Sequence, residues 1–255
     1  MRSLLLSSAA AAAALSATPL AAQDHTADRN ATVNAANARG VRIVARAGRL
    51  RVVGVDGITE VRVRGTARAR KESRLDDIEL RAEREGDEVV IEAVIPENRV
   101  SWHWDDEMAL DLVIEVPRAL PLEVEDGSGD VELRNVGALR LDDGSGNVEI
   151  VGARGDVTVK DGSGGLAVRE VKGSVMISDG SGEIEVANVT GTLTVDEDGS
   201  GGITARDVGG AVHVRRDGSG QIRVTEVGGD FVVDRDGSGG ISSQGVKGQI
   251  RLPRS

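Results

Sequence analysis

The sequence predicts an all-β fold: a two-sided β-solenoid with coils of 17–19 residues and an irregular β-rich cap on its N-terminal side. The tetrapeptide Asp-Gly-Ser-Gly recurs at intervals of 17, 18, 18, 19, 19 and 19 residues, and strands of alternating apolar and polar residues stand between its copies. Only three aromatic residues are present, so Val, Ile and Leu must fill the core, which suits thin stacked coils. The seven copies begin at Asp126, Asp143, Asp161, Asp179, Asp198, Asp217 and Asp236.

Each coil is predicted to contain two short strands and two corners. After an Asp-Gly-Ser-Gly corner, a strand such as Ile184-Glu185-Val186 places apolar residues on one face and polar ones on the other. A second strand, such as Leu193 to Val195, returns to the next copy. Between the strands one glycine recurs in register, and it predicts a corner that needs a positive φ. In the last three coils an extra residue before the corner predicts an outward bulge. The recurring glycines are Gly137, Gly155, Gly173, Gly191, Gly210, Gly229 and Gly248.

The N-terminal half divides into three predicted segments. Residues 1–22 read as a secretory signal peptide, because a positive start and an apolar run are followed by small residues that suit cleavage after Ala22. A membrane anchor is the alternative, but the run is too short to span a bilayer comfortably. Residues 23–39 form an N-terminal segment that we expect to be partly flexible. Residues 40–120 form an irregular β-rich capping region of degenerate coils, with one short helical turn at 71–77, and residues 121–255 form the solenoid.

The charge distribution restricts the class of partner. The formal net charge is -11, and residues 121–255 carry 23 acidic and 14 basic side chains, so the solenoid is the acidic part. An acidic surface repels phosphate, which argues against nucleic-acid binding and against electrostatic binding to anionic lipid. The chain contains no cysteine, so neither disulfides nor thiol chemistry contribute. No later stretch is apolar enough to predict a transmembrane segment.

The junction between the two halves carries a family resemblance. The runs 110–117 (LDLVIEVP) and 120–131 (LPLEVEDGSGDV) resemble the start of the repeats in the bacterial "putative adhesin" family, which is similar to the autotransporter-adhesin head domains called GIN. The resemblance covers about residues 40–250. It implies an exported β-solenoid with a role in adhesion, and relatives are also associated with cell-envelope stress systems. It defines no catalytic residues that map onto this chain.

The Asp-Gly-Ser-Gly aspartates are the first candidate site. Stacking brings neighbouring carboxylates within about 5 Å, where like charges repel by roughly 1 kcal/mol even in water. In one interpretation each aspartate remains solvated and accepts hydrogen bonds from the backbone of its own corner. In the other, a file of cations, Ca²⁺ above all, is held by carboxylate and carbonyl oxygens. The candidate metal ligands are Asp126, Asp143, Asp161, Asp179, Asp198, Asp217 and Asp236.

The second candidate is the segment 101–107, which contains both tryptophans of the chain. Trp102 and Trp104 lie in a predicted loop before the strand that begins near Leu110. Tryptophans in this setting stack on sugars or anchor a protein partner. The alternative is that they fold back and seal the apolar end of the cap.

No set of residues in the sequence predicts catalysis. The serines of the repeated corner are seven equivalent corner residues and do not form a nucleophile elbow. The sequence therefore predicts a non-catalytic cell-envelope protein, in the periplasm or at the cell surface, whose partner is an envelope or surface protein or a glycan. Two alternatives are a periplasmic component of envelope-stress signalling or maintenance, and a glycan-active β-helix enzyme, which is disfavoured because no acid pair stands apart from the repeat.

Overall fold

A computed structural model describes residues 24–96 and 107–253. Within these residues the chain forms two eleven-stranded β-sheets, A and B. Sheet A contains β1 (His25–Asn34), β3 (Leu50–Val55), β4 (Glu60–Ala69), β7 (Met108–Pro117), β9 (Val131–Arg134), β11 (Val148–Val151), β13 (Leu166–Val171), β15 (Ile184–Val189), β17 (Ile203–Val208), β19 (Gly220–Val227) and β21 (Gly239–Val246). Sheet B contains β2 (Gly40–Val44), β5 (Glu79–Glu85), β6 (Glu88–Val94), β8 (Leu122–Asp126), β10 (Leu139–Asp143), β12 (Val157–Asp161), β14 (Val175–Asp179), β16 (Leu193–Asp198), β18 (Val212–Val214), β20 (Phe231–Val233) and β22 (Ile250–Arg251).

From β8 onward the strands alternate between the two sheets, and each pairs in parallel with its counterpart one coil away. Ile184 of β15, for example, is aligned with Leu166 of β13 and Ile203 of β17, and all three are buried. Apolar columns of this kind from both sheets form one continuous core of Val, Ile and Leu. The two-sided β-solenoid is therefore confirmed. No helix among the described residues combines the length and apolar character that crossing a membrane requires.

Close contact between coils explains the glycines of the Asp-Gly-Ser-Gly corner. The second glycine of every copy has a positive φ, between 131° and 154°. A Cβ added to Gly182 would lie 1.6 Å from the carbonyl oxygen of Gly164 in the preceding coil. Only glycine satisfies both conditions.

At the second corner the sequence predicted that the recurring glycine has a positive φ. This prediction was wrong, because none of these glycines has a positive φ. The left-handed residue lies three positions earlier in most coils, as at Asn188 (φ 57°) and Asp207 (φ 56°). Asn and Asp tolerate this region better than most residues, so the turn does not require glycine. The recurring glycine serves close stacking instead, because a Cβ on Gly191 would lie 2.6 Å from the carbonyl oxygen of Gly173.

The N-terminal half extends the solenoid, but the order of its strands in the two sheets differs from their order in the sequence. Strands β2 and β3 form a coil that pairs in parallel with β8 and β9, and its corner at 45–48 (ARAG) is a degenerate copy of the repeated corner. Strands β6 and β7 add a further layer outside that coil. Antiparallel strands β4 and β1 then close sheet A, and β5 closes sheet B. The predicted helical turn is confirmed as a 3₁₀ helix, Glu72–Asp77.

Strand β1 and the bulge near Asp196 add detail to the sequence predictions. Strand β1, ten residues at the edge of sheet A, lies inside the segment 23–39 that we expected to be partly flexible. Its inward side carries small residues such as Ala27 and Ala31, a weak strand signal that becomes stable through pairing with β4. The expected bulge is present where the extra residue first occurs, since the pairing of β14 with β16 skips Asp196 between Val195 and Glu197.

Candidate functional site

The outer face of sheet A is covered by ion pairs between neighbouring coils. Arg134 contacts both Glu132 and Glu149, the latter at 2.7 Å. Arg169 continues the row with contacts to Glu149 at 3.3 Å and to Glu185 at 2.6 Å. The charges on this face are therefore paired with one another, which leaves few of them available for a partner.

Sheet B presents a different outer face. Register alignment places five residues without formal charge in one outward column, one per coil, and we call this column the uncharged strip. Met176 at its centre exposes 41% of its surface, which is high for a large apolar side chain in this protein. At about 4.8 Å per coil the strip is roughly 20 Å long. The strip consists of Thr158, Met176, Thr194, His213 and Val232.

A shallow groove of about 680 Å³ lies at the C-terminal end of the strip. Thr194, His213 and Val232 form its floor, and Leu252, 47% exposed, contributes to its wall. The imidazole Nε2 of His213 lies 2.8 Å from the carboxylate Oδ2 of Asp234, so the ring is held in place. The groove offers apolar and hydrogen-bonding contacts, and its charged lining residues are Asp230, Asp234 and Arg251.

The repeated aspartates are brought together inside the protein, as one column that we call the aspartate ladder. In the first four coils the aspartate is the last inward residue of its sheet B strand, two positions after a buried residue such as Leu141. In the last three coils the extra residue lengthens this interval to three positions, and Asp217 and Asp236 lie just beyond β18 and β20. Each is aligned in register with the aspartate of the next coil. Six are buried, with exposures from 1% for Asp198 to 7% for Asp126, whereas Asp236 is half-buried. Burial differs from the expectation that these carboxylates remain solvated.

Few hydrogen bonds compensate this burial. Asp161 Oδ1 accepts a hydrogen bond from the backbone N–H of Ser163 at 3.1 Å. Both carboxylate oxygens of the other five buried members lack a well-formed hydrogen bond among the described residues, although backbone N–H groups of the corner, such as that of Gly127 beside Asp126, partly favour the ionised form. Those five are Asp126, Asp143, Asp179, Asp198 and Asp217.

Burial raises the pKa of every buried ladder member. Burial is the main cause for Asp143, whose pKa rises to about 8, and the neighbouring carboxylates of Asp126 and Asp161 add to the shift. Burial and the charges of Asp217 and Asp179 raise the pKa of Asp198 to about 7. The pKa values of Asp126, Asp179 and Asp217 rise to about 6, and that of Asp161 is also raised. With these pKa values Asp143 and Asp198 hold a proton for much of the time near neutral pH, whereas the members at about 6 are mostly ionised there.

The structure bears differently on the two sequence-based site hypotheses. Calcium binding by the ladder stays a prediction, although the described residues contain no group of three or more acidic, His or Cys side chains arranged to hold a metal ion. Trp102 and Trp104 lie outside the described residues, so their role also stays a prediction.

Sequence reasoning missed the burial of the repeated aspartates and the uncharged strip. In the first four coils period-two alternation already places the aspartate on the inward side, two positions after an inward apolar residue, whereas in the last three coils the extra residue interrupts this signal. The uncharged strip was missed because the outward columns were searched for one repeated residue type, whereas the strip is defined by the absence of charge.

Comparison with known proteins identifies the fold. No protein-family model matches the chain, and a search of curated proteins finds no match either. Among solved structures, the chain is similar to a "putative lipid binding protein" from Parabacteroides distasonis, with a TM-score of 0.54 and 18% identity over 89% of this chain and 95% of that one. It is also similar to a "putative adhesin" from Bacteroides fragilis, with a TM-score of 0.50 and 16% identity over 91% of this chain and 98% of that one. The predicted resemblance to the adhesin-like solenoids is thus borne out at the level of fold.

Proposed function

We propose that this chain is an exported, non-catalytic cell-envelope protein that acts as an adhesin-like binding module through the uncharged strip of sheet B. The target is a surface protein or glycan of the cell envelope. The rigid parallel ladders hold the strip as a flat, preformed surface, so little conformational entropy is lost on binding.

The uncharged strip is the observation that carries this proposal, because ion pairs cover sheet A and also lie beside the strip on sheet B, as between Lys160 and Asp142. On sheet A, Arg and Glu side chains such as Arg169 and Glu185 compensate one another. On sheet B, the side chain of Met176 is exposed and the groove beside His213 lies at the end of the same column. A continuous strip that lacks formal charge and includes an exposed methionine has the composition of the centre of a protein interface, where charged residues are depleted.

Two further observations support the proposal. The solved structures that share the fold are named as an adhesin and as a lipid-binding protein, and both names describe binding rather than catalysis. The predicted signal peptide at 1–22 would bring the chain to the envelope, where such a target is present.

A charge placed on the strip tests the proposal. The variant Met176→Lys puts a cation at the centre of the strip, and the control Thr204→Lys puts the same charge on the half-buried outer face of sheet A. Purified proteins are assayed for binding to isolated cell envelopes at low and high salt. We expect wild type and Thr204→Lys to bind equally, with little salt dependence, and Met176→Lys to lose at least tenfold in affinity.

Equal binding by the two variants would show that the strip is not the binding surface. If wild type itself does not bind envelopes, the binding-module proposal fails. Far-UV circular dichroism of both variants checks that the solenoid remains folded.

A further inference from the structure

The aspartate ladder poses an electrostatic problem that the proposed function does not address. Six carboxyl groups, each on a residue no more than 7% exposed, stand in register in adjacent coils. Ionised carboxylates at this spacing repel one another, and burial removes the water that would screen them. Something must remove part of the negative charge, because buried charges are normally paired or neutralised.

Among residues 24–96 and 107–253, no side chain supplies a compensating cation to the ladder. The groups that influence the buried ladder members are other ladder aspartates and backbone N–H groups of their own corners. In the repeat coils from β9 to β19 the inward residues of the sheet A strands are apolar, for example Val148 and Ile184. Oxygen atoms on the five members without partners therefore have capacity for a ligand that donates a hydrogen bond.

The ladder is most exposed at its C-terminal end, whereas both carboxylate oxygens of Asp126 at the N-terminal end are buried. At the C-terminal end the last member, Asp236, is half-buried and pairs with Asp217 through a β-bridge. At the N-terminal end the column stops at Ala45, and Asp126 borders a cleft of about 280 Å³. The charged groups that line this cleft are Arg46, Glu123, Glu125, Arg140 and Asp142.

We propose that the aspartate ladder is a chain of shared protons, in which each protonated aspartate stands beside ionised aspartates of the adjacent coils at neutral pH. Each protonated carboxyl group donates its O–H to a carboxylate oxygen of the neighbouring coil. The donors and acceptors that lack partners thereby satisfy one another, and the ladder holds fewer negative charges than carboxyl groups. No metal ion is required.

The pKa values along the ladder agree with shared protons, because each high value has lower values beside it; the two high positions, Asp143 and Asp198, are three coils apart, so the order is not a strict alternation. Where values are resolved, a higher pKa is flanked by lower ones: Asp143, at about 8, follows Asp126, at about 6. Asp198, at about 7, stands between Asp179 and Asp217, both at about 6. Neighbouring acids that cannot all ionise together show this division of pKa values.

The linkage between protonation and folding sets the sign of the pH dependence. The pKa of each buried member is raised on folding, so the folded chain binds more protons than the unfolded chain between about pH 4 and pH 8. The stabilisation by shared protons is complete below the ordinary carboxyl pKa, and it is lost as pH rises through about 6 to 8. The free energy of unfolding of the solenoid should therefore decrease as pH rises.

Unfolding of the full chain as a function of pH tests this inference. The midpoint of thermal unfolding, followed by circular dichroism at constant ionic strength, should fall steadily from pH 5 to pH 9. In the double variant Asp179→Asn/Asp198→Asn this dependence should flatten, and the variant should be more stable than wild type at pH 9. Asparagine keeps the shape and supplies N–H donors to the neighbouring oxygens. The matched control Asp142→Asn/Asp196→Asn changes two outward aspartates that pair with Lys160 and Arg215, and it should keep the wild-type pH dependence.

Infrared spectroscopy provides a readout that does not depend on stability. Wild type at pH 7 should show the carbonyl band of a protonated carboxylic acid, reduced in the ladder variant and unchanged in the control. Absence of this band in wild type would overturn the inference, as would a pH dependence that the ladder variant leaves unchanged. A rise of the unfolding midpoint at pH 9 on adding Ca²⁺, abolished in the ladder variant, would show that cations rather than protons neutralise the ladder.

Discussion

Two adjacent glycines allow a direct test of how the coils stack. Gly201 is the last residue of a repeated corner and has a φ of 144°. Gly202 is the next residue along the chain, and its φ is not in the left-handed region. A Cβ on Gly201 would lie 1.5 Å from the carbonyl oxygen of Gly182 in the preceding coil. The nearest atom to a Cβ on Gly202 is the Gln221 carbonyl oxygen at 3.7 Å, an ordinary contact distance. The same chemical change, Gly to Ala, is therefore forbidden at one position and harmless at the next.

The magnitude of the effect follows from two costs at Gly201. Holding alanine in a backbone region reserved for glycine costs about 1–3 kcal/mol. Forcing the Cβ against a backbone oxygen, which no side-chain rearrangement relieves, costs another 1–3 kcal/mol or so. We therefore expect Gly201→Ala to lower the free energy of unfolding by about 2–6 kcal/mol, a large share of the total for a protein of this size. Gly202→Ala should be neutral or should stabilise by about 0.4–1 kcal/mol, because alanine restricts the unfolded chain.

Equilibrium unfolding in urea, followed by far-UV circular dichroism, measures both variants against wild type. If Gly201→Ala is as stable as Gly202→Ala, the coils do not approach as closely as the structure indicates, and the explanation of the repeated corner is wrong. Slightly altered m-values would not affect this comparison, since it rests on the difference between two neighbouring substitutions.

Three further predictions concern the ion pairs, the ladder and the tryptophans. Arg169 and Arg206 lower the pKa of Glu185, so Glu185→Gln should reduce the free energy of unfolding in urea by about 0.2–1 kcal/mol at pH 7. This reduction should vanish as pH falls below the ordinary glutamate pKa. A reduction that persists in acid would contradict the prediction. EDTA should leave the thermal unfolding midpoint unchanged, because protons rather than Ca²⁺ neutralise the ladder. A sharp drop of the midpoint would favour a row of Ca²⁺ ions bound along the ladder. The double variant Trp102→Ala/Trp104→Ala should remain folded and lose envelope binding if these residues form a site, whereas a lower midpoint with binding retained would show that they seal the apolar end.

Much of the repeat region was predictable because its signals are local and recur seven times. Alternation in Ile184-Glu185-Val186 determines which side chains face the core, and in-register stacking follows once the period is known. The same alternation, extended two residues past Leu141, would have placed Asp143 in the core. An aspartate in a turn motif is usually solvated, and that general expectation outweighed the positional signal.

The remaining features depend on contacts that no local pattern contains. The insertion of β2 and β3 between β6–β7 and β8–β9 reverses the order of the coils in the sequence, so only three-dimensional pairing reveals it. Strand β1 has weak apolar alternation and forms because β4 offers a free edge. At the second corner, a glycine that suggested a turn is required by the backbone of the adjacent coil, as at Gly191.

Protease shaving of intact cells tests the proposed role at the cell envelope most directly. Cells that produce the full chain are treated with protease, beside a periplasmic control protein and beside permeabilised cells. An adhesin-like module predicts digestion in intact cells while the periplasmic control survives. Protection until permeabilisation would contradict a surface adhesin and would direct the search to periplasmic partners, and a chain found only in the cytoplasm would contradict export itself.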